Sequence, residues 1–195
     1  MINNKVELIR EHMQAIMNVL EIKESEDNKL TPLRVAKMFN NELFVNRNDY
    51  NIAELNSRMK TFPLEENTGV VVIKHIKFYS MCSHHWLPFM GTVDVGYLPE
   101  DKIIGLSKIP RVVKYFSKRP QIQERLVKDI LQYLTDVINP QFIIVRIRAE
   151  HTCMSSRGIE SEGITDTVLD AWNLQMTEDR AMKLREMFFK MAGEE

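Results

Sequence analysis

In the stretch CSHHWLPF, Cys82 and His85 stand at C-x2-H spacing, close enough to reach one ion from a single turn. A second pair comes far along the chain, where one residue separates His151 from Cys153 in AEHTC. Thiolate and imidazole are donors that suit Zn²⁺. A structural zinc closes its tetrahedron with four protein ligands, whereas three leave a position for water, which becomes acidic and nucleophilic there. The same residues admit a plainer reading, with the cysteines as small buried hydrophobes and the histidines capping a turn. C-x2-H alone has many accidental matches, so the distant H-x-C on an apolar strand face is what favours the metal reading.

Both pairs must be delivered by strands. GVVVIKHIKFYSM is rich in β-branched and aromatic residues and predicts a strand that ends at Cys82, while GTVDVGYLP predicts its partner, closed by Pro99. The Cys/His cluster then lies on the connection between them, where binding groups concentrate. In QFIIVRIRAEHTC, Ile143, Val145, Ile147, Ala149, His151 and Cys153 share one parity, hence one face if the strand continues that far.

Helices fill the remainder. Val6, Ile9, Met13, Ile16, Met17 and Leu20 recur at helical spacing over Asn3 to Leu20. TPLRVAKMF predicts a second helix, with Thr31 as N-cap and Pro32 at the first helical position. A helix from Ser107 tolerates Pro110 near its start, and after Pro120 the stripe Leu126, Ile130, Leu134 and Val137 marks another. A short strand from Ile164 to Trp172 and a helix from Glu178 to Met191 complete an α+β order with a largely antiparallel sheet.

Composition excludes several classes. The chain has 195 residues, 44% hydrophobic and 27% charged, which fits a globular protein with a core. Its 26 basic and 27 acidic residues give a net charge of -1, so no global field draws it to nucleic acid or a membrane surface. No apolar run reaches the roughly 20 residues that cross a bilayer, and the first residues lack the apolar core of a secretory signal, so a cytoplasmic protein with reduced thiols is expected.

Taken together, the motifs resemble the GTP cyclohydrolase I family. The resemblance runs from EHMQAIMNVL through TPLRVAKMF, CSHHWLPFMGTVDVGYLP, IGLSKIPRVV, RPQIQERL and HTCMSSRGI to the C-terminal helix, in order and over nearly the whole chain. It implies a T-fold, an antiparallel sheet with helices packed on one side, preceded by an N-terminal helical segment; the expected division is 1–62 and 63–195. It also implies conversion of GTP and water to formate and 7,8-dihydroneopterin triphosphate, in a homodecamer of two pentameric rings with sites between subunits.

The resemblance assigns roles residue by residue. Cys82, His85 and Cys153 match the family's zinc ligands, and His84 and His151 its catalytic histidines. Glu124 matches the guanine anchor, with Gln123 beside it. Arg157, Lys108, Arg111, Arg34 and Lys37 match phosphate-contacting positions, and Ser107 a polar group near ribose and phosphates. Two departures stand out. Ser83 occupies a position that is often acidic in the family, and ESEGITDTVLDAW carries Glu160, Glu162, Asp166 and Asp170 where a Ser/Thr-rich strand is expected. Carboxylates near a triphosphate repel it unless they point away or pair with cations. A relative that reduces a nitrile with a cysteine nucleophile and a nicotinamide cofactor would need a reactive thiol without zinc, and a non-catalytic nucleotide binder would not need the intact histidines.

Overall fold

The computed structural model describes residues 4–47, 52–66 and 68–193. They form two compact units, Met1–Tyr50 and Asn51–Glu195. In the first, α1 (Asn4–Val19) packs on α2 (Thr31–Met38), which runs into a wider π turn at Phe39–Leu43. The helix expected from Asn3 begins at Asn4, Asn3 lying outside the described residues. Thr31, expected as the N-cap, is instead the first helical residue, and no side chain caps α2.

The second unit begins with α3 (Ile52–Ser57), whose buried Leu55 joins the main core. That packing puts the boundary between the units ahead of α3, whereas the sequence reading put the division after residue 62. A small antiparallel ribbon pairs β1 (Thr61–Pro63) with β4 (Lys102–Ile104). The principal sheet comprises β2 (Val71–Cys82), β3 (Pro88–Leu98), β5 (Pro120–Gln121), β6 (Phe142–His151) and β7 (Ile164–Trp172). Its order is β5-β2-β3-β6-β7, antiparallel except for the two-residue β5, which runs parallel to the end of β2.

Side-chain alternation divides the sheet into two faces. Phe89, Val93, Val95 and Tyr97 of β3, with Ile143, Val145 and Ile147 of β6, pack against α4 (Lys108–Ser117) and α5 (Gln123–Ile138). The stripe Leu126, Ile130 and Leu134 is fully buried there, as its period requires. This is the α+β, helix-backed antiparallel sheet expected. In addition, α7 (Glu178–Ala192) covers one end of the opposite face, where Ala181 and Phe188 meet Leu98, Phe142 and Ile144.

One irregularity decides which way the end of β2 faces. Before residue 74, Val71 and Ile73 pack toward the α4/α5 core; beyond it, Ile76, Phe78 and Cys82 do so. The switch is a β-bulge between Ile73 and Ile76, with His75 at φ 57°. The carboxylate of Asp94, 1% exposed, accepts the His75 backbone N–H at 2.6 Å and lies 3.5 Å from an Arg148 nitrogen. Asp94→Ala is expected to destabilise the fold by about 3 kcal/mol, because it orphans a backbone donor and removes a buried charge partner. Urea denaturation checks this, and a loss below about 0.5 kcal/mol, the level of an ordinary surface change, would show that the bulge does not depend on the carboxylate.

Candidate active site

The connection between β2 and β3 is a tight turn closed at both ends. Cys82 N–H donates to Leu87 O at 2.8 Å, and Trp86 N–H to Cys82 O at 2.9 Å. Trp86 takes a left-handed φ of 54°, uncommon for a bulky side chain. Ser83 N–H donates to Gln121 O at 2.8 Å, which fastens the turn to β5. The buried Cys82 thiol then has His84 Nδ1 at 3.7 Å and His85 Nδ1 at 4.0 Å.

Cys153 reaches the same place by a route that alternation did not foresee. β6 ends at His151, and Thr152–Ser155 form a single helical turn, α6, so Cys153 is not on the strand. The partner explains this. β3 pairs His151 with Phe89 and has only Pro88 left before the turn, so a single strand residue remains opposite the chain that follows His151. Thr152 Oγ1 instead donates to Pro88 O at 2.6 Å. The helical turn brings Cys153 back, so that the ligand atoms of Cys82, His85 and Cys153 all lie within 4.8 Å of one another.

That donor set fits zinc: two thiols and one imidazole, with no fourth His, Cys, Asp or Glu in the group among the described residues. The Cys153 thiol is pushed up by burial and by the neighbouring Cys82 thiol, with Arg157 opposing. It therefore favours the protonated state until a cation displaces the proton.

His151 adjoins the cluster from the end of β6. Its ring stacks on Phe89, with centroids 4.8 Å apart and planes at 3°. Burial lowers its pKa, opposed by the carboxylate of Glu124 in the first turn of α5. His151 Nε2 lies 2.8 Å from Gln123 Oε1. Gln123 itself is 2% exposed, and its amide nitrogen, with two hydrogens to give, faces the acceptors Ile147 O, Thr165 O and Thr167 Oγ1 at 3.0, 2.9 and 2.9 Å. The side chain expected beside the guanine anchor is thus engaged internally.

Two of the four acidic residues that depart from expectation, Asp166 and Asp170, lie on β7 and pair with cations. Thr165 O and Thr167 Oγ1 of β7 meet Gln123, and the residues that alternate with Thr167 face the other way. Arg146 Nε lies 2.9 Å from both Asp166 oxygens, and Arg185 Nη1 donates to Asp170 at 3.1 Å. Both carboxylates therefore point away from Gln123 and pair with cations. Glu162, by contrast, lines a cleft with Glu150.

The expected phosphate contacts fall in three places. Arg157 follows α6, and its charge reaches Cys153. Lys108 and Arg111 line an open cleft of about 450 Å³ with Arg58 and Lys60, two cations that sequence reasoning missed in an ambiguous segment. Their side chains also contact Glu54 and the Phe62 ring, respectively. Ser107 precedes α4, exposed, with no side-chain capping bond. Arg34 and Lys37 are exposed on α2 in the first unit.

Comparison with known proteins covers almost the whole chain. Residues 9–192 match the family model of GTP cyclohydrolase I. GTP cyclohydrolase 1 of Aquifex aeolicus is 43% identical over 169 residues, 85% of this chain and 84% of that protein. The enzyme of the same name from Blochmanniella pennsylvanica is 38% identical over 169 residues, 85% of this chain and 75% of its own. Among solved structures, an archaeosine synthase QueF-like protein in the apo form aligns at TM-score 0.45 and 19% identity, over 56% of this chain and 99% of its own.

Proposed function

Because the chain belongs to the GTP cyclohydrolase I family, we propose that it opens the guanine imidazole ring of GTP and yields formate and 7,8-dihydroneopterin triphosphate. The observation that carries this reading is the convergence of Cys82, His85 and Cys153 beside two further histidines, His84 and His151. Zinc held by the three ligands supplies the Lewis acidity that makes water nucleophilic at neutral pH.

The chain's own residues do the rest. Glu124 accepts the adjacent N1–H and 2-amino donors of guanine, which orients C8 toward the cluster. His151 gives a proton to N7 as water adds to C8 and electrons move onto the ring nitrogen. A lowered pKa makes its protonated ring a stronger acid, and the Glu124 carboxylate keeps that form accessible. His84 positions water or moves protons in the second hydrolytic step, which releases C8 as formate; the ribose then rearranges and closes the dihydropterin ring. Arg157, Lys108 and Arg111 hold the triphosphate, with Ser107 near the ribose, and Arg58 and Lys60 add charge to the same cleft as Lys108 and Arg111.

We further assign the chain to a cytoplasmic homodecamer of two pentameric rings, with sites between subunits, serving folate and one-carbon metabolism or a related pterin or 7-deazaguanine route. Open sheet edges support such an assembly. Among the described residues β7 pairs only with β6, and the outer edge of β2 is covered only at Met81 and Cys82. No described helix is long and apolar enough to cross a membrane.

The test is incubation of zinc-loaded protein with GTP, following formate and the oxidised, fluorescent pterin beside a chelator-treated control. Both products are expected only with metal. GTP binding without formate would sink the reaction.

A further inference from the structure

The amide of Gln123 is oriented by groups that leave it no choice. Two of the three acceptors facing its nitrogen, Ile147 O and Thr165 O, are backbone carbonyls, which cannot donate. Turning the amide over would set its oxygen against both carbonyls in a position 2% exposed, where water cannot relieve the repulsion. The NH₂ group therefore faces the sheet and Oε1 faces His151. An amide oxygen only accepts, so the ring nitrogen 2.8 Å away must carry the hydrogen.

From this we infer that Gln123 is a positioning residue that holds the neutral His151 ring as its Nε2–H tautomer, leaving Nδ1 as the ring nitrogen that Gln123 does not engage. Phe89 fixes the plane of the ring by stacking, and Gln123 fixes its rotation within that plane. Flipping the ring would present a C–H to Oε1 and leave that oxygen unpaired. β7 takes part as well, because Thr165 and Thr167 hold the amide from 42 and 44 positions away. Of these two, Thr165 offers its backbone carbonyl and Thr167 its side-chain hydroxyl oxygen. The catalytic consequence rests on the role proposed above for His151; the tautomer does not.

Magic-angle-spinning ¹⁵N spectra of the full chain labelled at histidine test the tautomer directly, with His151→Gln identifying the signals. In neutral His151 the expected result is a protonated Nε2 and an unprotonated Nδ1. In Gln123→Met that preference is lost, and kcat for formate release falls roughly 10²-fold while KM for GTP changes less than about threefold. A wild-type Nδ1–H tautomer overturns the inference. So does a Gln123→Met protein with an unchanged spectrum, or one whose KM rises at constant kcat, the mark of a substrate contact. Should Gln123→Met fail to fold, Thr167→Val removes one acceptor and leaves the two carbonyls. It is expected to keep the Nε2–H form and lose at most about tenfold in kcat, and an Nδ1–H signal in it overturns the inference. Absence of formate from the wild type would sink the proposed reaction, yet the spectrum would still decide the tautomer.

Discussion

Replacing Cys153 with alanine is expected to abolish zinc retention and formate release together. Among the described residues Cys153 supplies one of three donors in the cluster, and the short turn α6 carries no other His, Cys, Asp or Glu to replace it. Losing an outer-shell partner typically costs 10–100-fold in metal affinity, so loss of a direct ligand should exceed roughly 100-fold. The side chain is small and half-buried, so the fold should survive and the two losses should be read on folded protein. Metal analysis after dialysis against a weak chelator, paired with the formate assay, measures both. A variant that keeps a full complement of zinc removes Cys153 from the ligand set.

His151→Ala should separate what Cys153→Ala couples. The imidazole is outside the group of three donors, so zinc content should match the wild type. Turnover should fall by roughly 10²–10⁴-fold, the range for a lost general acid. Part of the change will be structural. Removing the ring strips Phe89 of its stacking partner and leaves Gln123 Oε1 buried without its hydrogen bond, at about 1–3 kcal/mol. A thermal melt on the same sample isolates that loss, because a folded, zinc-loaded and inactive protein cannot owe its inactivity to unfolding. Zinc lost with His151 would instead make this histidine a ligand.

Much of this was legible without coordinates. The β-branched runs that became β2 and β6, the buried stripe of α5, and the turn carrying Cys82, His84 and His85 each follow from a period or composition contained in one segment. Family motifs then singled out the residues that converge at the cluster.

What alternation alone misjudged lies where one segment answers to another. Cys153 shares a strand face with His151 only if β6 continues that far, but a strand lasts only while a neighbour pairs with it, and β3 has just Pro88 beyond the residue opposite His151. Cys82 faces the helices because a bulge reverses the parity of β2, and that bulge is held by a carboxylate 19 positions further on. The family resemblance places Gln123 beside the guanine anchor, and only the carbonyls of β6 and β7 turn its amide toward His151. The acidic residues of β7 looked like a threat to a triphosphate until Arg146 and Arg185 were found opposite them. The sequence by itself determined the principal helices and strands and the chemical identity of the donors, since periodicity and residue type are local. Tertiary structure decided which way each donor points, because strand endings, bulges and buried amides take their geometry from partners distant in the chain.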